Sequence, residues 1–475
     1  MLLFVSHPTG SPYDVQMTHQ PMSLQGVKRK VMCVQIDAKD RFMFCGTSTG
    51  DILVFFLQSV MLAHIKNVKQ FSGRGITCLN YCLDNVDGKE YLLVGLGSGQ
   101  CGLVMINATD GTLTLERMTS FSGAVTSISN GKDLKKGYDT FVGTNKGNQY
   151  IMNSRSLEWE LRLTAHYEPV HDICFPPTVG AGAKDASRLF VTCSDNDIRV
   201  WLTDLKQEAL RIQVPNLVCH CVRIPSGGNL IISGWNDGKI RAFAPTSGKL
   251  AFSLPDAHMG GVTALACFNN SGEIVSGGVD GRVRRWTDGA NDYDMTTNIP
   301  QMIGNVKEHA KKVTAVKMSR DDTEVISSSA DGSIIIWSVP PSNGRKTPNL
   351  MRIRSCQNST LFTDVMYHPD ESQFLTCGSD RKLCYWDASD GKEIRVLEGS
   401  EQEINSLDIA ERAGGDLFVS GGNDRLVRLW NYDQGNLMAI GRGHSGSICR
   451  LKISPDGTKV ISVGAEGGIF IWSMP

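Results

Sequence analysis

The sequence predicts an all-β protein of the propeller class, built from repeated strand units, on three observations. Aromatic residues recur at near-constant intervals: Trp201, Phe243, Trp286, Trp337, Trp386, Trp430 and Trp472 stand 42 to 51 residues apart. Each closes the same short pattern, seen as GGVDGRVRRW, SSADGSIIIW and GGNDRLVRLW. Six of the eight tryptophans occupy this one slot, which chance placement does not produce. A period of roughly 40–45 residues with a turn signal in every unit marks blades arranged around an axis.

Within each unit the local chemistry is that of strand, turn and strand. A short run such as 273–276 or 323–327 precedes an Asp-Gly or Asn-Asp turn, and an alternating strand follows. In the most regular units a His lies upstream, a Ser or Thr ends the strand before the turn, an Asp sits in the turn, and a Trp follows. His258, Ser276, Asp280 and Trp286 form one set; His309, Ser327, Asp331 and Trp337 form another. Three units depart from the pattern: Glu466 replaces the Asp, Phe243 the Trp, and Ser400 stands where the His would be. Those blades are expected to rely on packing more than on polar links.

These units resemble the WD-repeat family, which implies that the four side chains hydrogen-bond in series and tie outer strands to inner ones. Losing one member of such a buried chain leaves the others unpaired. A hydrolase triad is the rival meaning of His, Ser and Asp. It fails because a triad occurs once and needs an exposed nucleophile, whereas this set recurs blade after blade. The chain carries no P-loop, no G-x-S-x-G elbow and no H-E-x-x-H motif. The expectation is therefore no catalytic residue, no metal and no cofactor.

Upstream of residue 160 the repeat continues in eroded form. CGTSTGDILVF, VGLGSGQCGLV and VGTNKGNQYIM keep the strand–turn–strand order but lose Asp and Trp. Ten units result, three weak and seven strong. The seven are expected to close a seven-bladed ring over 157–475, with Leu157–Leu163 as a borrowed strand pairing with Gly468–Trp472. Residues 1–156 are expected to be part of a second propeller: three blades and the remnant of a fourth. Three blades cannot close, so four preceding blades of roughly 160–180 residues are expected to be missing from a truncated gene model; the rival reading is a natural short form whose three blades pack against the ring.

Composition removes several function classes. Lys+Arg 48 against Asp+Glu 49 leaves a net charge of −1, giving no global field for nucleic acid or an anionic membrane. The 14 cysteines form no C-x-x-C pairs, and Cys219 and Cys221 read as same-face core residues of a strand. The apolar run Leu2–Val5 is too short for a signal sequence, so a reducing cytosolic setting is expected. No small-molecule substrate is indicated.

Several stretches carry a narrower resemblance. VPNLVCH, SGWNDGKIRAFAPTSGKL, CGSDRKLCYWDASDGKEIRVLEGS, SGGNDRLVRLWNYDQG and GHSGSICRLKISPDG are similar to a WD-repeat family of motile cilia and flagella. The resemblance runs from about residue 24 to the end. It implies a structural role inside doublet microtubules, with tubulin and other inner proteins as partners. A soluble adaptor is the rival from another class. For the contact surface, Trp235 and Asn236 in the SGWNDG turn are candidates, since an exposed Trp is enriched at hot spots. The rival reading is that the indole lids its blade. The long segment at 340–354 offers Arg345, Lys346, Arg352 and Arg354 for an acidic surface.

Overall fold

The computed structural model describes residues 2–6, 16–20, 30–57, 61–67, 71–83, 88–131, 137–178, 182–287, 299–341, 349–411 and 414–474. The chain divides into two compact units, Met1–Leu163 and Thr164–Pro475. Antiparallel sheet dominates both, and the one helix among the described residues is Gly182–Ala186.

The first unit holds three four-stranded sheets and a small hairpin, Leu2–Ser6 with Gln16–Gln20. The third sheet runs Val125–Asn130, Thr140–Thr144, Gln149–Met152 and Trp159–Leu163. This corrects the expected closure. Trp159–Leu163 pairs with Gln149–Met152, bringing Met152 opposite Trp159, and completes its own blade; it does not pair with 468–472. The physical reason is local. The short turn after Met152 brings Trp159–Leu163 straight back onto its neighbour in sequence, and that ladder uses the strand up. Asn153 Oδ1 sets that turn by accepting from the Arg155 and Ser156 amides at 2.9 and 2.8 Å. The division between units accordingly falls after Leu163 rather than before Leu157.

In the second unit the inner strands are Val170–Cys174, the end of Gln207–Arg223, Val262–Cys267, Val313–Met318, Phe362–Tyr367, Ile404–Ile409 and Ile448–Ile453. Two strands are unusually long. Leu189–Leu202 pairs with both Val170–Cys174 and Gln207–Arg223, and the latter continues into the next blade beside Ile231–Trp235. The first two blades therefore share a continuous six-stranded sheet, and four four-stranded sheets follow. The last sheet has three strands: Ile448–Ile453, Lys459–Gly464 and Ile469–Ser473.

Consecutive inner strands pack side by side, and Val170–Cys174 returns against Ile448–Ile453, which closes the array. The seam is apolar: Val170, Ile173, Phe190 and Trp201 from the first blade pack with Ile461 and Val463 from the last. Neighbouring blades are further linked by polar side chains. Thr263 and Thr363 hydroxyls donate to the Val313 and Ile404 carbonyls at 2.5 Å, and Asn405 donates to the Ile448 carbonyl at 2.8 Å. Each bond ties the inner strand of one blade to the backbone of the next.

Candidate functional site

The polar centre of a blade is built around one hydroxyl. Ser276 Oγ receives the Trp286 indole N–H at 2.8 Å and meets His258 Nε2 at 2.8 Å, while His258 Nδ1 lies 2.9 Å from Asp280. Asp280 also accepts from the Arg282 and Met259 amides, at 3.2 and 3.4 Å. The chain thus runs from third strand to second strand to the preceding loop and back to the turn. Burial penalises the Asp280 carboxylate, but the bond from His258 and those amides outweigh it and hold its pKa below the usual range. Burial pushes the His258 pKa down, so the imidazole is neutral.

The next blade differs in one link. His309 Nε2 meets Ser327 Oγ at 2.7 Å and Trp337 donates to Ser327 at 2.8 Å. On the other side His309 Nδ1 reaches Ser333 Oγ at 2.6 Å, and Ser333 in turn donates to Asp331 at 2.5 Å. Asp331 lies 3.9 Å from the imidazole, so Ser333 relays the contact. Burial lowers the His309 pKa to about 4.

Two further sets were not singled out in the sequence. His166, Thr192, Asp197 and Trp201 form one, with His166 at 2.8 Å from Thr192 and 2.9 Å from Asp197. His444, Ser462, Glu466 and Trp472 form the other: His444 Nε2 meets Ser462 at 2.7 Å and its Nδ1 bonds Glu466. Glu466 therefore takes the place of the Asp; it is not outside the network. Ser400 likewise joins, donating to Asp424 at 2.7 Å. The available signal was the 18-residue step from His444 to Ser462, identical to that from His258 to Ser276. The hydroxyls that meet the histidines, Thr192, Ser276, Ser327, Ser333 and Ser462, are all buried, while Ser400 is half-buried.

Trp235 is a correction. It is fully buried, at 0% exposure, and its indole N–H donates to Ser233 Oγ at 2.8 Å. Trp235 and Gly278 occupy equivalent places, opposite the first inner-strand residues Cys219 and Val262. A Cβ on Gly278 would lie 2.3 Å from the His258 ring, so in that blade the glycine leaves the room that the imidazole takes. In the Trp235 blade the place 18 residues before Ser233 is Pro215, and the indole supplies the donor that Phe243, in the Trp slot, lacks. Asn236 braces the same turn by accepting from the Val218 amide at 3.1 Å.

The remaining surface candidates are divided. Arg345 and Lys346 lie outside the described residues. Arg352 and Arg354 belong to a fourth strand, Met351–Gln357, not to a loop. Arg352 is exposed and pairs with Glu308 at 2.9 Å, while Arg354 donates to the Ala388 carbonyl at 2.5 Å. Beside Arg352, Met351 and Ile353 are exposed. The fourth strands of the next two blades expose Ile394 and Val396, then Leu437, Met438 and Ile440. Fourth strands thus present an apolar rim across three consecutive blades. Among the described residues no three His, Cys, Asp or Glu side chains converge as metal ligands.

Comparison with known proteins places these features among relatives. Residues 158–201, 248–287, 300–338, 350–387, 391–431 and 435–473 match the family described as WD domain, G-beta repeat. Cilia- and flagella-associated protein 52 of Homo sapiens is 38% identical over 454 residues, covering 94% of this chain and 67% of the relative. The Chlamydomonas reinhardtii protein of the same name is 37% identical, covering 95% of this chain and 68% of its own length. More distant is human echinoderm microtubule-associated protein-like 1, 24% identical over 88% of this chain and 52% of its own.

Proposed function

The chain belongs to the cilia- and flagella-associated protein 52 family of WD-repeat proteins, and on that premise we propose that it is a structural component of doublet microtubules in cilia and flagella. Its role in this reading is to hold tubulin and other inner proteins together rather than to transform a substrate. The observation that carries it is likeness over 94% of the chain to relatives named for cilia and flagella. Fold alone would not, since propellers serve many unrelated purposes.

The geometry supports a scaffold. The polar sets are buried and consumed in holding blades together. What the second unit offers a partner is the rim, where Met351 and Ile353 flank Arg352 and where Ile394, Met438 and Ile440 are exposed on the next two blades. Exposed apolar side chains on the outer strands of successive blades suit protein contact. A component touching several neighbours at once gains avidity, about 10²–10⁴ over one contact.

The test is fractionation. Tag the protein, demembranate the cells, and wash the axonemes in about 0.5 M salt, where screening shortens to a few ångströms. Retention with the doublets is expected, because enclosed apolar contacts survive screening. Release into the first detergent supernatant would overturn the proposal and favour a soluble adaptor.

A further inference from the structure

The channel around which the second unit's inner strands stand carries a second constellation of charge. In each blade the hydroxyl of the polar set faces an apolar residue of the inner strand, as Thr192 faces Ile173, Ser327 faces Val316 and Ser462 faces Leu451. Residues one place before and one place after point to the opposite side. The earlier places include Asp172, Asp364 and Arg450, and the later ones Arg223, Lys317, Asp408 and Lys452.

Contacts among them cross the channel. Arg450 sits 2.9 Å from Asp364 and 3.7 Å from Asp172, although those carboxylates stand on strands of two different blades. Arg223 meets Asp172 at 2.6 Å, and Lys452 meets Asp408. Each carboxylate is also fixed to the inner strand of the next blade. Asp172 accepts from the Val222 amide at 3.1 Å, Asp364 from Leu407 at 3.3 Å, and Asp408 from Ile453 at 2.8 Å. All three acids are thereby engaged by at least one cation and one backbone amide.

Lys317 is left over. The cluster holds four cations and three carboxylates, and among the described residues no carboxylate comes within ion-pair distance of the Lys317 ammonium. Its surroundings are hostile to charge: burial first, then Lys452, Arg223 and Arg450, outweigh the attraction of Asp364 and lower its pKa to about 7. A half-buried ammonium among like charges is costly unless an anion joins it. Several Arg and Lys donors lining one channel suit an acceptor with several oxygens better than a monatomic ion.

We propose that this channel binds a small oxyanion, phosphate or carboxylate, which pairs with Lys317 and is shared with Arg223 and Lys452. The site is separate from the outer rim, and its failure would leave the ciliary role untouched. The substitution Lys317→Met tests it, because Met366 occupies the equivalent place in the next blade and the fold accommodates it.

Full-length protein is melted in inorganic phosphate, in acetate, and in chloride at matched ionic strength. A melting-temperature rise in phosphate or acetate over chloride is expected in the wild type and is expected to vanish in Lys317→Met; the more effective of the two names the preferred oxyanion. An equal rise in both proteins, or none in the wild type, overturns the proposal. A second measurement needs no variant: acylation of Lys317 by an amine-reactive ester at neutral pH, mapped by peptide mass. Phosphate or acetate should slow it severalfold relative to chloride. Unchanged labelling in both oxyanions overturns the proposal independently of how the variant folds.

Discussion

The indole N–H of Trp235 donates to Ser233 from only two residues along the same strand, at 2.8 Å. In the neighbouring blade the corresponding Ser276 is reached from ten residues away by Trp286 and from eighteen by His258. One tryptophan thus replaces two partners. Trp235→Phe keeps most of the buried ring but removes the donor, and should cost about 1–3 kcal/mol in urea denaturation. Trp235→Gly opens a large hole and should cost more, on the order of 3–5 kcal/mol. Equal stability of Trp235→Phe and wild type would refute the role assigned to the bond.

Glu466 binds His444 as Asp280 binds His258. Glu466→Ala and Asp280→Ala should therefore destabilise by similar amounts, about 1–3 kcal/mol each, by leaving an imidazole nitrogen without its partner. Urea titration of the two variants decides it. A negligible loss for Glu466→Ala beside a full loss for Asp280→Ala would place Glu466 outside the network.

The buried histidines predict acid sensitivity with a definite sign. Burial lowers the pKa of His309 to about 4, and those of His166, His258 and His444 also fall below the ordinary value of 6.5. The unfolded chain takes up these protons first as pH falls. Their contribution to stability is thus complete above about 6.5 and declines through the window down to about 4 for His309. Within that window the slope is about 1.4 kcal/mol per pH unit for His309. His309→Gln should flatten the curve, read by denaturation at stepped pH; an unchanged slope would mean His309 does not titrate in this window.

Residues 157–163 belong to the first unit's third sheet. Fragments 157–475 and 164–475 should therefore melt at the same temperature, because the second unit loses no sheet partner when those residues are removed. A drop of several degrees in the shorter fragment would reinstate the strand as a closing element.

Ile394 and Met438 are half exposed on the outer strands of neighbouring blades. The double substitution Ile394→Asp with Met438→Asp should leave the melting temperature nearly unchanged, since exposed positions usually shift stability by less than about 0.5 kcal/mol. It should release the tagged protein from salt-washed axonemes. Full retention would mean that this part of the rim faces no partner.

The repeat and its central hydroxyl are legible because local spacing creates them: His258, Ser276, Asp280 and Trp286 keep fixed intervals, and each interval is a turn or strand length. The relay through Ser333 is not, since a serine after an Asp-Gly turn looks like any turn residue. Trp235 misleads for a related reason. Its neighbours Gly234, Asn236 and Asp237 spell an exposed turn, and only the absence of a histidine at Pro215 reveals the space it fills. Trp159–Leu163 is readable as a strand but not as to its partner, which the short turn after Met152 decides. Arg352 sits in a stretch rich in Pro, Gly and Lys that reads as a loop, yet Met351–Gln357 pairs along its length with Ser333–Ser338. The charges in the channel leave no local trace. Asp172 and Arg450 meet only because the array closes.

The three-stranded last sheet has a mechanical consequence. Among the described residues Ile469–Ser473 is hydrogen-bonded along one side only, to Lys459–Gly464. A load drawn sideways on it would break its bonds one after another, like teeth of a zip, and meet low resistance at every step. The same load on a third strand such as Leu426–Asn431 meets ladders on both flanks. Force transmitted through the second unit should therefore find its yield point at the last strand, beside the apolar seam, and leave the ladders of the other blades intact.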